Sequence, residues 1–502
     1  MRSRRSIFVV GLAARVTTVR LPGVCLLAAA ALAAGCGRAG PTPLSGSALR
    51  DPVACKSCHP SQYDQWSGSM HAFSSDDPVF AAMNRRAQRE SGGALGDFCV
   101  KCHAPVALRA GLTSDGLDLP AVAPAMKGVT CYFCHAAESV DGTHNNPLTL
   151  APDDNLFGPF ADAAPGSPHR ATYSALFDET QPDSAAACGS CHDIVNLQGA
   201  HVERTYQEWQ GTLFAKPPKG LTCVQCHMAG SDGPASTVSS QKVRRLHSHT
   251  FPAVDLAVTA PDAAAPPNLD AQRAEAQAQL DSVVQSTICL NPTTSRIELT
   301  LENVGAGHGW PSGASPDRRG WVELTAYAGG QVLYSSGGAG AAPLEGSPDP
   351  DLWLIRDCLF DGAQQEVRMF WQAASAISNQ LPGAVTASLS DPVSFALTHV
   401  QQIYPGAGAA ALAQMPDRIT VKVHLQAIGD DILQDLIATG DLDPSIPGQI
   451  ARFELGGAAL EWTVGTSTPI LNATTGIPSL CVTSGRFAAS TVPAQSHARC
   501  AP

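Results

Sequence analysis

The chain has no surplus of positive charge and no apolar run of bilayer length. Lys and Arg number 32 against 44 Asp and Glu, a net charge of -12, so nothing in the balance points to a nucleic-acid partner, whereas it allows a basic protein partner. The apolar stretch Val24 to Ala34 falls short of the roughly 20 residues that a spanning helix requires. Only 15% of residues are charged, and 44% are hydrophobic, a globular composition; 502 residues leave room for two or three domains. The 38 Pro and 45 Gly, spread throughout, favour loops and strands over long helices.

What the chain does have is a repeated cysteine pattern. Cys-x-x-Cys-His occurs at Cys55-Lys-Ser-Cys58-His59, Cys99-Val-Lys-Cys102-His103, Cys131-Tyr-Phe-Cys134-His135, Cys188-Gly-Ser-Cys191-His192 and Cys223-Val-Gln-Cys226-His227. Composition alone would supply roughly 0.015 copies, and this spacing is the one read as covalent haem attachment. Two thiols at that separation reach the two vinyl groups of one haem, and the next imidazole falls under the ring to bind its iron. Redox dithiols or zinc half-sites are the alternative, but neither requires a His after every second Cys, and paired zinc half-sites would not come in an odd number. Five c-type haems are therefore expected, with His59, His103, His135, His192 and His227 as proximal ligands.

The remaining cysteines fit an oxidising compartment. Cys25 and Cys36 lie in a leader, and Cys289, Cys358, Cys481 and Cys500 are left to form two disulfides. Of the three connectivities, Cys481 with Cys500 and Cys289 with Cys358 is preferred here. Residues 1–36 read as an export signal: Arg2, Arg4 and Arg5 open it, and Leu32-Ala-Ala-Gly35-Cys36 resembles a bacterial lipobox whose Cys36 would be acylated. The expected location is the periplasm or a lipid-anchored position at the outer membrane of a Gram-negative bacterium.

Residues 37–50 form a Gly, Pro and Ser rich tether. Residues 51–255 hold the motifs, which follow one another too closely for each haem to bring its own apolar core. Tyr63-Asp-Gln-Trp66-Ser-Gly and Tyr206-Gln-Glu-Trp209-Gln-Gly echo one another, each placing a Tyr and a Trp on one face of a short helix, as core aromatics or as walls against porphyrin. Residues 256–288 read as a linker and a helix over Leu269 to Ser286. From 289 to 485, strands are expected at Arg296–Leu301, Trp321–Tyr327, Gln331–Tyr334, Ile419–Leu425 and Ala459–Val464, with a helix near Asp431 to Thr439; residues 486–502 are a tail. No phosphate-cradling glycine loop or nucleophile elbow appears there. The fold class is α+β in two domains: a haem-packed, mainly α and loop cytochrome domain followed by a β-sandwich-like domain.

These residues resemble the multihaem cytochromes of the cytochrome c-554 and hydroxylamine oxidoreductase superfamily. The matching stretches are Cys55-x-x-Cys-His-Pro-x-x-Tyr-x-x-Trp66-x-x-Ser69-x-His71, Gly128-Val-Thr-Cys-x-x-Cys-His135, Cys188-Gly-x-Cys-His-Asp193, Glu203-x-Thr-Tyr-x-Glu-Trp209 and Cys223-x-x-Cys-His-Met228. A looser match covers Gly305-Ala-Gly-His308-Gly-Trp-Pro-Ser-Gly313 with Arg318 and Arg319. The resemblance implies clustered haems and electron transfer, with His71 and His249 as distal ligands. His169, His308 and His144 are the further distal candidates, His247 is a competitor of His249, and His201 and His399 stay undecided. His424, on the polar face of its strand, and His497, in the tail, read as ordinary histidines, and Met228 as packing.

An exported electron-transfer cytochrome follows, dependent on haem-attachment machinery and on redox partner proteins, and held to a membrane through Cys36. Two alternatives remain: a haem reductase of nitrite, hydroxylamine or tetrathionate type using one five-coordinate iron, and a docking module with the β-domain as its binding element. Catalysis lacks support in the sequence, since no Cys-x-x-Cys-Lys, the variant of the related nitrite reductases, is present.

Overall fold

Short helices carry the first half of the chain and two large sheets, with two small ones beside them, the second, as the proline and glycine content implies. The computed structural model describes residues 44–160, 162, 167–217, 220–237, 242–338, 346–388, 391–465, 480–485, 495–496 and 500. Cys25, Cys36 and His497 lie outside them. None of the helices described is long and apolar enough to cross a membrane.

Each motif folds as one helical turn. His59 N–H bonds Cys55 O at 2.8 Å, His103 bonds Cys99 O at 3.1 Å and His192 bonds Cys188 O at 3.1 Å, so both thiols and the imidazole share one face. Local caps start these turns: Asp51 accepts from Val53 N, Thr130 from Phe133 N, and Thr222 forms a capping box with Gln225. The longest helix of this half, Pro78–Glu90, begins at the Asp77 cap and has Pro at its first position.

The two echoed segments do the same job twice. Trp66 Nε1 donates to Val129 O at 2.8 Å, and Trp209 Nε1 donates to Leu221 O at 2.9 Å. In both places the acceptor stands two residues before a later motif's first Cys, Cys131 for Trp66 and Cys223 for Trp209. Trp66 thus pins the entry to the third motif and Trp209 the entry to the fifth, and each one's tyrosine packs on it with ring centroids 5.8 and 5.7 Å apart.

In the second half, Val284–Asn291, Arg296–Asn303 and His399–Tyr404 form the centre of a five-stranded sheet, edged by Cys481–Thr483 and Gln495–Ser496. Gln331–Ser336, Arg319–Ala328, Arg418–Gln426 and Arg452–Glu454 run through a six-stranded sheet, with Leu354–Ile355 and Leu460–Thr463 attached. Alternate residues Ile297, Leu299 and Leu301 of one sheet and Val322, Leu324, Val421 and Val423 of the other fill one continuous core. Around the motifs the apolar clusters are smaller, one on Phe133 and Tyr132, another on Phe80 and Val100. The class is mixed α and β, and the described residues from Leu44 onward hold together as one unit.

Two expectations need correction. The helix placed over Leu269 to Ser286 stops at Leu280, and the β-branched run from Val283 turns into the strand Val284–Asn291. The disulfides pair Cys289 with Cys481 and Cys358 with Cys500, in place of the pairing preferred from sequence. Cys481–Thr483 lies beside Val284–Asn291 with Cys481 opposite Cys289, and sheet register outweighs nearness along the chain.

Candidate functional site: five Cys-His turns and their facing histidines

The proximal imidazoles are oriented from behind. His59 Nδ1 lies 2.8 Å from Ala235 O, His103 Nδ1 3.0 Å from Ser74 O, His135 Nδ1 2.7 Å from Phe157 O and His227 Nδ1 3.2 Å from Pro252 O. A carbonyl only accepts, so Nδ1 carries the proton and Nε2 keeps its lone pair for a metal.

Four of the five imidazoles face a second one. His59 and His169, His71 and His192, and His135 and His249 have ring centroids 6.3 Å apart, and His227 and His308 6.4 Å. With metal–nitrogen bonds of about 2 Å and about 1.1 Å from nitrogen to ring centre, two imidazoles on opposite sides of one ion stand about 6.2 Å apart. The thiol spacing, the free Nε2 atoms and these separations all fit a c-type haem in each pair.

The facing histidines come from distant segments. His71 sits on the short helix Met70–Phe73 behind Ser69, whose hydroxyl bonds Trp66 O at 2.7 Å. His249 is held by Gln65, which accepts its backbone N–H at 2.9 Å, and by the bond from Nδ1 to His247 O at 3.0 Å. His308 belongs to the loop after Arg296–Asn303. Asn303 and Thr212 hold that loop through His308 O at 2.7 Å and Gly307 O at 3.0 Å, and Glu208 accepts from Gly309 N at 3.1 Å.

His103 differs. Its ring stacks on Phe80 at 4.2 Å and 8°, and among the described residues no imidazole stands across from it. His144, expected as the fifth distal ligand, occupies an exposed turn with Nδ1 on the Thr143 hydroxyl at 3.0 Å and faces none of the motif imidazoles. His247 bonds Met228 O at 2.9 Å, His201 is exposed, and His399 and His424 pair with Glu302 and Glu323 in the sheets.

Burial keeps most of these rings neutral, the ligating form. It pushes His71 down to about 3 and His227 and His249 down to about 4. His192 is the exception: burial pushes it down, but its hydrogen bond to Glu203 and that carboxylate's charge carry it to about 9. Burial also raises the Cys99 and Cys134 thiols to about 12, unlike the lowered thiols of redox Cys-x-x-Cys pairs. Cys191 is lowered to about 7, chiefly because Cys102 bonds to it.

The sulfurs show how the motifs neighbour one another. Cys55 meets Cys131, Cys102 meets Cys191, and Cys188 meets Cys223. The first motif thus adjoins the third, and the fourth adjoins both the second and the fifth; Cys134 lies within electrostatic reach of Cys191 and Cys188, which joins the third to the fourth. Residues that sequence reasoning missed are Phe80, Gln65 and Glu203. Only Glu203 left a trace, as the first residue of the stretch Glu203-x-Thr-Tyr.

The family model for cytochrome c554 and c-prime matches residues 54–136. No curated protein is similar enough to count as a relative. Among solved structures, the fold is similar to that of a penta-heme cytochrome c552 from Thermochromatium tepidum, at 18% identity and a TM-score of 0.55, over 83% of this chain and 100% of that one. Three Cys-x-x-Cys-His turns fall within the residues matched by the family model, and the chain is a multihaem c-type cytochrome.

Proposed function

We propose that the protein binds five haems, one at each motif, and passes electrons among them to and from redox partner proteins. The reading rests on four imidazole pairs spaced for one iron each. Bound haem iron takes up and releases single electrons. The chain's part is to present two imidazoles to each of four centres and to hold neighbouring motifs side by side. The test is intact-protein mass with a haemochrome assay, and an EPR spectrum of the oxidised protein. Five added haems with four low-spin irons are expected; fewer than five would overturn the reading.

A second reading, reduction of a small nitrogen or sulfur oxyanion, is favoured by one observation. His103 has Phe80 against its ring and no facing imidazole among the described residues, which leaves one face for a ligand. A high-spin signal and oxidation of the reduced protein by nitrite or hydroxylamine are its expected signs; a spectrum wholly of six-coordinate irons removes it. Export and acylation at Cys36 belong to the same proposal, and membrane fractionation of the wild type and Cys36→Ser checks them: the variant should be released.

A further inference from the structure

Four proximal imidazoles give their Nδ1 proton to backbone carbonyls. His192 gives its own to a carboxylate, Glu203 Oε1, at 3.2 Å. Strand pairing holds Glu203 there, with Ile194 opposite it in the hairpin of Ile194–Val195 and His201–Glu203, and the side chain is only 16% exposed. The nearby Arg318 does not cancel it, because its guanidinium is bound to Asp255 at 2.7 and 2.5 Å.

A hydrogen bond to an ionised acceptor is stronger than one to a neutral carbonyl. It draws the Nδ1 proton away and makes Nε2 a stronger donor, which favours ferric over ferrous iron. We propose that Glu203 is the positioning residue that lowers the reduction potential of the iron on His192 below the value a backbone partner would give. The proposal rests on a haem at every motif. Its interest lies in the location, since the fourth motif adjoins the second and fifth through sulfur and lies within reach of the third. Every route between branches crosses a centre that is hard to reduce, so electrons traverse it and come to rest on its neighbours.

The experiment is an EPR-monitored redox titration of the full-length, haem-loaded protein and of Glu203→Gln. His71→Ala, which turns the His71–His192 iron high-spin, identifies that component. In Glu203→Gln its reduction equilibrium constant should rise at least tenfold, equivalent to about 59 mV for one electron, with altered g-values, while the other components stay in place. Glu203→Asp keeps the charge but withdraws it from Nδ1, and should move the same component in the same direction. Five haems with this component unmoved, or with all components moved equally, overturn the role of Glu203. A mass showing fewer than five haems in the wild type overturns the pentahaem reading instead.

Discussion

Gly128 is held where a side chain cannot go. Its φ is +70°, and a Cβ would lie 2.5 Å from Ala72 O and 2.8 Å from His71 O, while the next residue's N–H bonds His71 O at 2.8 Å. Gly128→Ala should therefore displace the turn carrying His71, beyond the roughly 1–2 kcal/mol cost of a left-handed residue. One low-spin EPR component should become high-spin, and Tm should fall. Asp317 supplies a pH prediction. Burial, joined by Asp255 and Asp431 and opposed by Arg319 and Arg318, raises its carboxyl to about 7. The folded state then binds the proton more tightly than the unfolded chain, so this contribution is complete below about pH 4 and is lost as pH rises to 7, at about 1.4 kcal/mol per pH unit. Asp317→Asn should remove that slope: the gap between variant and wild-type Tm should move in the variant's favour across this range.

At the scale of elements, the motifs were legible because their chemistry is local. Two thiols and an imidazole on one helical turn can be read from five residues, and the alternating strands Arg296–Asn303 and Arg418–Gln426 from eight or nine. The partners of those turns are set by long-range packing: the sequence offered His71, His249, His169 and His308 as candidates but not which motif each would face. Position suggested His144 for a distal role because it closely follows a motif, yet its turn faces outward, while His169, before the fourth motif, faces the first. The same limit led to the wrong disulfide pairing. His308→Ala and His144→Ala separate the two situations: the first should convert one low-spin iron to high-spin, and the second should leave the EPR spectrum unchanged.

For the whole molecule, the sheets and the motif segment are not independent. His308 faces His227 from a loop that begins at the end of a core strand and is clamped by Thr212 and Glu208 of the motif half. A β-domain serving only as a docking surface would not supply such a residue. The core is nonetheless divided unevenly, with the large continuous cluster in the sheets and small ones around the motifs. Chain made without haem-attachment machinery should keep its β circular dichroism while the motif half loses helical signal. A native helical spectrum in that material would show that the polypeptide alone specifies the first half.

The facing histidines also impose a timetable. His59 waits for His169, His71 for His192, His135 for His249 and His227 for His308, so a chain emerging from its N-terminus exposes every early imidazole long before its counterpart exists. Maturation must pass through half-dressed intermediates, and the last knot is tied only when the loop after Arg296–Asn303 arrives.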